Sequence, residues 1–492
     1  MTFSEIIGVI DDWAWSYPLL ILLVGTGLFL SIRLIFVQFR KFGFSMKHTM
    51  GMVFKKTDKA QKGEVTPFQA LTTALAATVG TGNIVGVTGA IIVGGPGAVF
   101  WMWVSALIGM CTKFCEVVLS VRYREKNAAG DWVGGPMYYI KNGMGKNWKW
   151  LGVLFCIFGG LAAFGIGNAT QVNSIAEAVS TAIDSLGGNT GAQMLQFLGH
   201  EFSLSYLITG IVVAIIVAVV IIGGIKVIGQ VTEKIVPFMA VVYIIAALIV
   251  VFADISFIGE VVRMIFVGAF SPEAVCGGVL GITVLQSMKK GVGRGCFSNE
   301  AGLGSAPIAH AATSETNPVR QGLYGIFEVF MDTIVICTLT CLVVLSNYCV
   351  SGGTTFEFGT SGGAAIVSGA LGSILSAPVG AVILAVCLSL FALSTILSWS
   401  LYGVRCCEYL CRDNKVVSTI YKVIFVLFVI VGSTLSLSDV WNIADILNAC
   451  MAIPNLIALI VLSPRVVKLT KEFFSNVKKG KDMNPKVWTP TD

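Results

Sequence analysis

Apolar runs, each about as long as a membrane-spanning helix, follow one another along the chain and are separated by polar loops. About 20 consecutive apolar residues are enough for an α-helix to cross the hydrocarbon core of a bilayer. We therefore predict an all-α polytopic membrane protein. Its eleven predicted spans lie near Pro18–Phe39, Pro67–Val93, Gly97–Val121, Leu151–Ala182, Leu204–Ile222, Lys234–Val251, Glu273–Ala311, Gly322–Leu345, Ile374–Val404, Val416–Leu435 and Val440–Leu462.

Lysine and arginine alternate between the loops. They follow every odd-numbered span, whereas residues 1–17, 183–203 and 347–373 contain none. Cytoplasmic loops of membrane proteins carry an excess of these residues. The alternation predicts a multi-pass protein of the plasma (inner) membrane with its N-terminus outside and its C-terminus in the cytoplasm. Residues 123–149 are then cytoplasmic and 347–373 external.

Composition agrees with a membrane protein and argues against several other classes. Of the 492 residues, 55% are hydrophobic and only 12% are charged, against roughly 25% charged residues in soluble domains. The loops account for the net charge of +6, so we expect the lipid bilayer as a partner and no nucleic acid. The three histidines are scattered and most cysteines lie in apolar runs. We therefore expect neither an enzyme nor an organic cofactor.

Two spans are interrupted by glycines and polar residues. The first reads "ATVGTGNIVGVTGAIIVGGPG" from Ala77 to Gly97, with seven glycines beside Thr78, Thr81 and Asn83. Each glycine costs a helix about 1 kcal/mol relative to alanine. The second reads "ITVLQSMKKGVGRGCFSNEAGLGSAPIAHAA" and contains five glycines together with Lys289, Lys290, Arg294 and Glu300.

The positions of the two interrupted spans indicate a transporter. If the first span is set aside, they are the first and sixth of ten, and they cross in opposite directions. Broken helices at matching positions of two inverted halves are typical of transporters. Unwound backbone is tolerated at that depth where it is buried or lines a cavity, and half-helix dipoles then point at a ligand. The alternative is a glycine packing seam, because Gly82 and Gly86 have GxxxG spacing.

This arrangement predicts five regions. The two five-helix repeats are 67–252 and 273–463, joined by an external connector at 253–272. They are preceded by 1–66, which hold the external N-terminus, one extra transmembrane helix and a basic cytoplasmic loop. A basic cytoplasmic tail follows at 464–492.

Other polar residues on the apolar helices are candidate ligands. Asn168 and Gln171 are three positions apart and share a helix face, where they either bind a ligand or join two helices by hydrogen bonds. The ninth span carries a stripe of hydroxyl groups beside Trp399. Hydroxyls in helices often bond their own backbone, but an oxygen-rich cluster also suits a hard cation such as Na⁺. The stripe consists of Ser394, Thr395, Ser398 and Tyr402.

Two carboxylates, Glu328 and Asp332, lie in the eighth span. Charged groups within a membrane are costly and need partners. We expect Arg294 or Lys290 to supply the positive charge.

Several segments resemble one known family. "GTGNIVGV", "GGPGAVFWMWVSALIGM", "TKFCE" and "RGCFSNEAGLGSAPIAHAA" are similar to motifs of the alanine-or-glycine:cation symporters, also called sodium:alanine symporters. The resemblance extends from about Pro67 to Pro464. It implies a LeuT-type fold, with two five-helix inverted repeats preceded here by one extra helix. It also implies Na⁺-coupled import of small neutral amino acids by alternating access.

The resemblance also implies roles for particular residues. "TVGTGN" is similar to the unwound segment that holds the substrate carboxylate in LeuT-type symporters, and the ammonium group would meet the break that we place near Ser287–Gly293. The coupling Na⁺ would lie between the carbonyls of Ala76 and Val79 and the hydroxyls of Ser394 and Thr395. We expect a monomer. The substrate-binding candidates are Thr78, Gly80, Thr81, Gly82, Asn83, Asn168, Gln171, Ser287, Gly293 and Trp399.

Three other functions compete with this interpretation. A proton-coupled transporter would use Glu328 or Asp332 as its proton carrier. An ion channel would need a continuous pore, which two interrupted helices disfavour. A membrane-embedded enzyme would need a nucleophile–base pair or a set of metal ligands, and the sequence displays neither.

Overall fold

The described part of the chain is almost entirely helical. Two short antiparallel hairpins supplement the helices, β1 Glu125–Lys126 with β2 Trp132–Val133 and β3 Met194–Phe197 with β4 His200–Ser203. The computed structural model describes residues 3–15, 17–53, 61, 63–197, 200–271, 283–360, 363–435 and 437–479.

The α-helices are numbered in chain order. Those of the N-terminal half are α1 Phe3–Ala14, α2 Tyr17–Arg33, α3 Val37–Arg40, α4 Phe42–Val53, α5 Pro67–Thr78, α6 Val85–Gly94, α7 Gly97–Arg122, α8 Pro136–Tyr139, α9 Lys149–Phe164, α10 Thr170–Ser185, α11 Leu204–Ile222, α12 Gly224–Ala253 and α13 Ile258–Phe270. Those of the C-terminal half are α14 Val284–Asn299, α15 Ala306–His310, α16 Pro318–Val329, α17 Thr338–Val350, α18 Ala364–Leu375, α19 Ala377–Leu410, α20 Lys415–Thr434 and α21 Leu437–Lys478.

Shorter helical segments connect several of these helices. π-Helical segments are rare and often mark functional sites. The 3-10 segments are Thr81–Asn83, Lys146–Trp148, Thr190–Ala192 and Ile255–Phe257, and the π-helical ones are Ile140–Met144, Gly165–Ala169 and Phe330–Cys337.

The helices confirm a polytopic membrane protein. Eight helices of the described chain are long and apolar enough to cross a membrane, and the pair α5–α6 makes a ninth span bent by 56°. Pro18–Arg33 and Ala364–Leu375 are shorter apolar helices. The count of eleven spans, the five predicted regions and the orientation of the termini stay predictions.

The first break lies inside the predicted interrupted span. Helix α5 begins with a capping box in which the Thr66 and Gln69 side chains each accept the other's backbone N–H at 3.1 Å. It ends at Thr78 because Val79 and Gly80 leave the helical conformation. One 3-10 turn follows before α6 starts. We call residues 79–84 the first break.

The second break lies later in the chain than we predicted. Helix α14 continues to Asn299, and the chain then turns through Glu300, Gly302 and Gly304, whose φ angles are 55°, 94° and 83°. Positive φ is accessible to glycine because it lacks a Cβ atom. We call residues 300–305 the second break. The predicted break at Ser287–Gly293 is wrong.

The glycines of α14 serve packing instead of unwinding. A Cβ atom on Gly291 would overlap the carbonyl of Ala98, and one on Gly295 would lie 2.7 Å from Oγ of Ser105. Both neighbours belong to α7. The missing side chains therefore allow α14 to lie directly against α7.

Two long helices position the breaks. Helix α7 packs against α14 and α16, and α19 packs against α5, α9 and α10. The 3-10 turn of the first break contacts α10, α14, α19 and the π-helical segment Phe330–Cys337. Residues from these four elements therefore surround the first break.

Candidate functional site

The first break releases backbone groups that a continuous helix would use. In a helix, Gly80 N–H would donate to the Ala76 carbonyl, but here it donates to Oδ1 of Asn83 at 2.8 Å. Similarly, Thr81 N–H donates to Oε1 of Gln171 at 3.2 Å and not to the carbonyl of Ala77. The break is thus held by side chains, and the Ala76 carbonyl is released from the helix ladder.

Two hydroxyls of α19 point at the released carbonyl. Oγ1 of Thr395 lies 2.9 Å and Oγ of Ser394 3.4 Å from the Ala76 oxygen, and all three residues are buried. Each hydroxyl also reaches the Phe391 carbonyl one turn back, at 3.1 and 2.8 Å. The structure thereby brings together Ala76, Ser394 and Thr395, and Val79 adjoins them as the first non-helical residue.

These groups are chemically suited to a small hard cation. Na⁺, like Ca²⁺ and Mg²⁺, binds oxygen ligands from carbonyls and hydroxyls. The side chains here are neutral and buried, so a monovalent ion would bring the only charge among these polar groups. The hydroxyl of Thr78 does not face these groups: it donates to the carbonyl of Leu75 at 3.2 Å and belongs to the end of α5.

Gln171 and Asn168 do not act together. The side-chain amide of Gln171 is held in one orientation, because its Nε2 donates to the Ile166 carbonyl at 2.8 Å. Its Oε1 therefore accepts from Thr81 N–H. Nδ2 of Asn168 donates instead to the Phe425 carbonyl in α20 at 2.8 Å. Asn168 therefore links two helices, which was the alternative role considered for it, and Gln171 faces the first break.

Asp332 lies next to the first break, and its partners differ from the Arg294 or Lys290 that the sequence predicted. Nδ2 of Asn83 donates to Oδ1 of Asp332 at 2.6 Å. The hydroxyls of Ser298 and Thr333 donate to its Oδ2 at 2.9 and 2.8 Å. Asp332 and Asn83 are fully buried. Asp332 thus connects α14 and the π-helical segment to the first break, through hydroxyl and amide donors and not through the expected Arg294 or Lys290.

Arg294 belongs to a layer that covers the first break. Its guanidinium lies 3.5 Å from Asp445 in α21 and stacks over the rings of Phe297 and Trp441, at 5.2 and 4.7 Å from their centroids. The Arg294 side chain is 24% exposed, whereas Phe297 is 4% and Gly82 is buried. A Cβ on Gly82 would be 3.5 Å from the Phe297 ring. An ion pair and two aromatic rings therefore lie between Gly82 and the surface.

The second break is held by two carboxylates. Oε1 of Glu116, on α7, accepts the N–H groups of Gly302 and Gly304, both at 3.1 Å, and Nδ2 of Asn455 at 2.5 Å. Glu300 accepts Nε1 of Trp399 at 2.8 Å. The Trp399 ring packs directly on Gly167, where a Cβ would overlap it. Trp399 thus connects α19 to the second break.

Glu328 has partners that the sequence did not suggest. Its carboxylate lies 3.1 Å from Nζ of Lys113 and 3.1 Å from Nε2 of His310, and all three side chains are fully buried. The expected pairing with Arg294 or Lys290 is therefore wrong. A carboxylate removed from water is stabilised here by a lysine of α7, one turn before Glu116.

Two predicted substrate ligands lie outside the first break. Ser287 donates from its hydroxyl to the carbonyl of Gly94 at the end of α6, and Gly293 faces the ring of Trp15. Both are inside α14, since the break that was to include them lies further along the chain. The segment "EAGLGS" would have indicated the position of the second break, because its two glycines are separated by one residue and do not follow the period of a helix.

Two further hydroxyls of the α19 stripe have no protein partner. Among the described residues, Oγ of Ser398, the phenol of Tyr402 and Oγ1 of Thr81 are buried without a hydrogen-bond partner. Buried polar groups of proteins are nearly always paired. These three are thus available to other polar groups.

Comparisons with known proteins identify the family of the chain. The model of the sodium:alanine symporter family matches residues 1–487. The sodium/alanine symporter AgcS of Methanococcus maripaludis is 43% identical over 487 residues, which cover 98% of this chain and 100% of that protein. The probable sodium/glutamine symporter GlnT of Bacillus subtilis is 33% identical over 479 residues, 97% of this chain and 92% of that protein.

Solved structures share the fold at low sequence identity. MhsT in complex with L-phenylalanine superimposes with a TM-score of 0.57 at 15% identity, covering 82% of this chain and 90% of MhsT. A manganese transporter of Eremococcus coleocola gives a TM-score of 0.54 at 12% identity, covering 85% and 89%. The expected LeuT-type fold is thereby confirmed. The chain belongs to the sodium:alanine symporter family, whose members are multi-pass membrane transporters and not enzymes.

Proposed function

We propose that this protein is a sodium-coupled symporter that imports small neutral amino acids of the alanine or glycine type by alternating access. Membership of the family supports cation-coupled amino-acid symport. The observation that carries the more specific proposal is the Ala76 carbonyl, released by the first break and faced by the hydroxyls of Ser394 and Thr395.

Na⁺ would bind at this point. The carbonyls of Ala76 and Val79 and the two hydroxyls supply four oxygen ligands from α5 and α19. A cation there would interact favourably with the C-terminal carbonyl groups of α5, which form the negative end of its helix dipole. Since its ligands come from two helices, Na⁺ would hold the first break against α19.

The amino acid would bind beside the cation. Its carboxylate would accept N–H groups of the segment Thr78–Asn83, in place of bonds such as the one from Thr81 N–H to Gln171. This segment immediately precedes α6, whose N-terminal end carries the positive end of the helix dipole. The unpartnered hydroxyls of Thr81 and Ser398 are candidates for the remaining polar contacts. Trp399 would act indirectly, through Glu300 and the second break.

Coupling follows because both ligands use the same short segment. Na⁺ fixes residues 76–79, and the amino acid binds residues 78–83, so each ligand orders part of the other's site. Coupling free energies of this kind are typically 1–3 kcal/mol. For the amino acid to leave on the opposite side of the membrane, a path from the first break to that side would have to open. The layer of Arg294, Asp445, Phe297 and Trp441 would stay closed meanwhile. We place the N-terminus outside and the C-terminus in the cytoplasm, from the loop charges.

Proton coupling is the second candidate. Asp332 is fully buried and hydrogen-bonded to Asn83 of the first break, so protonation of its carboxyl would change that contact. An inward proton gradient would then drive uptake without Na⁺.

Uptake into proteoliposomes distinguishes the two. We expect accumulation of radiolabelled alanine with an inward Na⁺ gradient, and none when K⁺ replaces Na⁺ at the same pH gradient. Thr395→Ala should raise the Na⁺ concentration for half-maximal uptake. The matched control is Ser400→Ala, since the Ser400 hydroxyl bonds only the Leu397 carbonyl of its own helix. Uptake that follows pH and ignores Na⁺ would overturn the proposal in favour of Asp332.

A further inference from the structure

The structure contains a basic cavity that the transport site does not use. It lies between the α2–α3 turn and the last turns of α21 and has a volume of about 320 Å³, within the roughly 300–1,000 Å³ of small-molecule sites. Five of the described residues that line it are cationic and none is acidic. The cationic residues are Arg33, Arg40, Lys41, Lys471 and Lys478. We call this cavity the basic pocket.

Local contacts hold the basic side chains toward the pocket. Arg33 donates to Oγ of Ser463 in α21 at 2.7 Å, and Arg40 donates from Nε to the Ile35 carbonyl at 2.7 Å. Nζ of Lys41 lies over the ring of Phe474 at 4.5 Å from its centroid. Like charges repel when they converge without a counter-ion. An anion in the pocket would relieve this repulsion.

The rim of the pocket is apolar at Ile35, in the α2–α3 turn, and Phe36 and Phe39 follow in the chain. The α2–α3 turn passes through Ile35 and Phe36 with φ of 52° and 47°, a left-handed conformation that such residues rarely adopt. The turn leaves Ile35, Phe36 and Phe39 between 39% and 57% exposed. In a membrane protein, exposed apolar and aromatic side chains next to basic ones lie where the hydrocarbon meets the headgroups.

We propose that the basic pocket binds the phosphate headgroup of an anionic phospholipid, with the acyl chains along Ile35, Phe36 and Phe39. Basic pockets between transmembrane helices are typical lipid-headgroup sites. Phosphate chemistry alone would also fit a soluble anion, but the apolar rim favours the lipid. The bound lipid would connect the extra helix α2 to α21, which also carries Asp445 of the covering layer at its other end.

The test is lipid binding to the purified full chain, measured by native mass spectrometry. Dioleoyl-phosphatidylglycerol should bind in preference to dioleoyl-phosphatidylcholine. The triple substitution Lys41→Gln, Lys471→Gln and Lys478→Gln should weaken phosphatidylglycerol binding by roughly tenfold or more, because each basic residue near an anionic surface contributes several-fold. The matched control is Lys146→Gln, Lys226→Gln and Lys415→Gln, which removes three exposed lysines outside the pocket and should leave binding unchanged.

Each result decides the proposal. Equal loss in the two triple variants, or equal binding of the two lipids, would overturn it. Displacement of phosphatidylglycerol by inorganic phosphate at equal concentration would reassign the pocket to a soluble anion and also overturn it. Melting temperatures of both variants in detergent without added lipid show whether the substitutions disturb folding. The proposal does not depend on Na⁺ coupling, and its failure would leave the transport site untouched.

Discussion

Adding one methyl group to Gly80 tests the cation site without removing any of its ligands. The backbone at Gly80 has φ −134° and ψ −155°, a conformation open to alanine. The new Cβ would nevertheless lie 2.6 Å from Oγ1 of Thr395 and 3.1 Å from Oε1 of Gln171. Thr395 must therefore turn away from the Ala76 carbonyl. Gly86→Ala, in α6 beyond the first break, is the control, since its Cβ would lie 3.8 Å from Cδ of Arg294, an ordinary van der Waals contact.

The expected magnitude follows from the overlap. Overpacking by one methyl group costs about 1–3 kcal/mol. Since the overlap is relieved by moving the Thr395 hydroxyl out of the cation site, we expect the free energy of Na⁺ binding to weaken by a similar amount. We predict that Gly80→Ala raises the Na⁺ concentration for half-maximal alanine uptake by about 5–150-fold. Gly86→Ala should change it by less than about twofold, because the new contact is at an ordinary van der Waals distance.

A double-mutant cycle identifies the residue through which the methyl acts. If Gly80→Ala works by displacing Thr395, the double variant with Thr395→Ala should be no worse than Thr395→Ala alone, because the clashing oxygen is gone. The assay is Na⁺-dependent uptake in proteoliposomes, with melting temperatures of all variants as the folding control. An unchanged Na⁺ dependence in Gly80→Ala, or strictly additive effects, would show that the methyl group does not act by displacing Thr395 from a Na⁺ site.

Three further predictions concern other parts of the molecule. Asn83→Ala leaves Gly80 N–H and one Asp332 contact unpaired at about 1–3 kcal/mol each, so alanine binding by scintillation proximity should fall at least about tenfold; normal binding would contradict the site. Lys113→Met should lower the melting temperature strongly, since breaking a buried pair costs about 3–5 kcal/mol, and adding Glu328→Leu should restore much of it; a further loss would contradict this. Single cysteines at 123–149 should react with an impermeant reagent from the cytoplasmic side and those at 347–373 from outside; the reverse would exclude the predicted orientation.

The sequence located the first break but misplaced the second, and the reason is physical. The glycines of α14 and those of the second break look alike in sequence. Gly291 and Gly295 are helical and make room for α7, whereas Gly302 and Gly304 adopt positive φ. The sequence shows only that these positions lack a side chain. The neighbouring atoms and the backbone angles show whether a glycine allows two helices to pack closely or allows a positive φ.

The partners of the buried charged groups are distant in the sequence and were mispredicted. Ser394 and Thr395, which the resemblance names with Ala76 as Na⁺ ligands, lie within hydrogen-bond distance of the Ala76 carbonyl, and their role in binding Na⁺ stays a prediction. The Arg294–Asp445 pair joins residues 151 positions apart, and nothing in the spacing favours it over Glu328 or Asp332. Long-range partners depend on how the helices pack, which periodicity along one helix does not specify.

If Na⁺ and the amino acid share the first break, each must change the equilibrium binding of the other. Affinity for radiolabelled alanine should be measured in detergent at low and at saturating Na⁺, with choline keeping ionic strength constant. Because linkage is reciprocal, Na⁺ should raise alanine affinity about 5–150-fold in the wild-type chain and much less in Thr395→Ala. Equal alanine affinity with and without Na⁺ in the wild-type chain would contradict it.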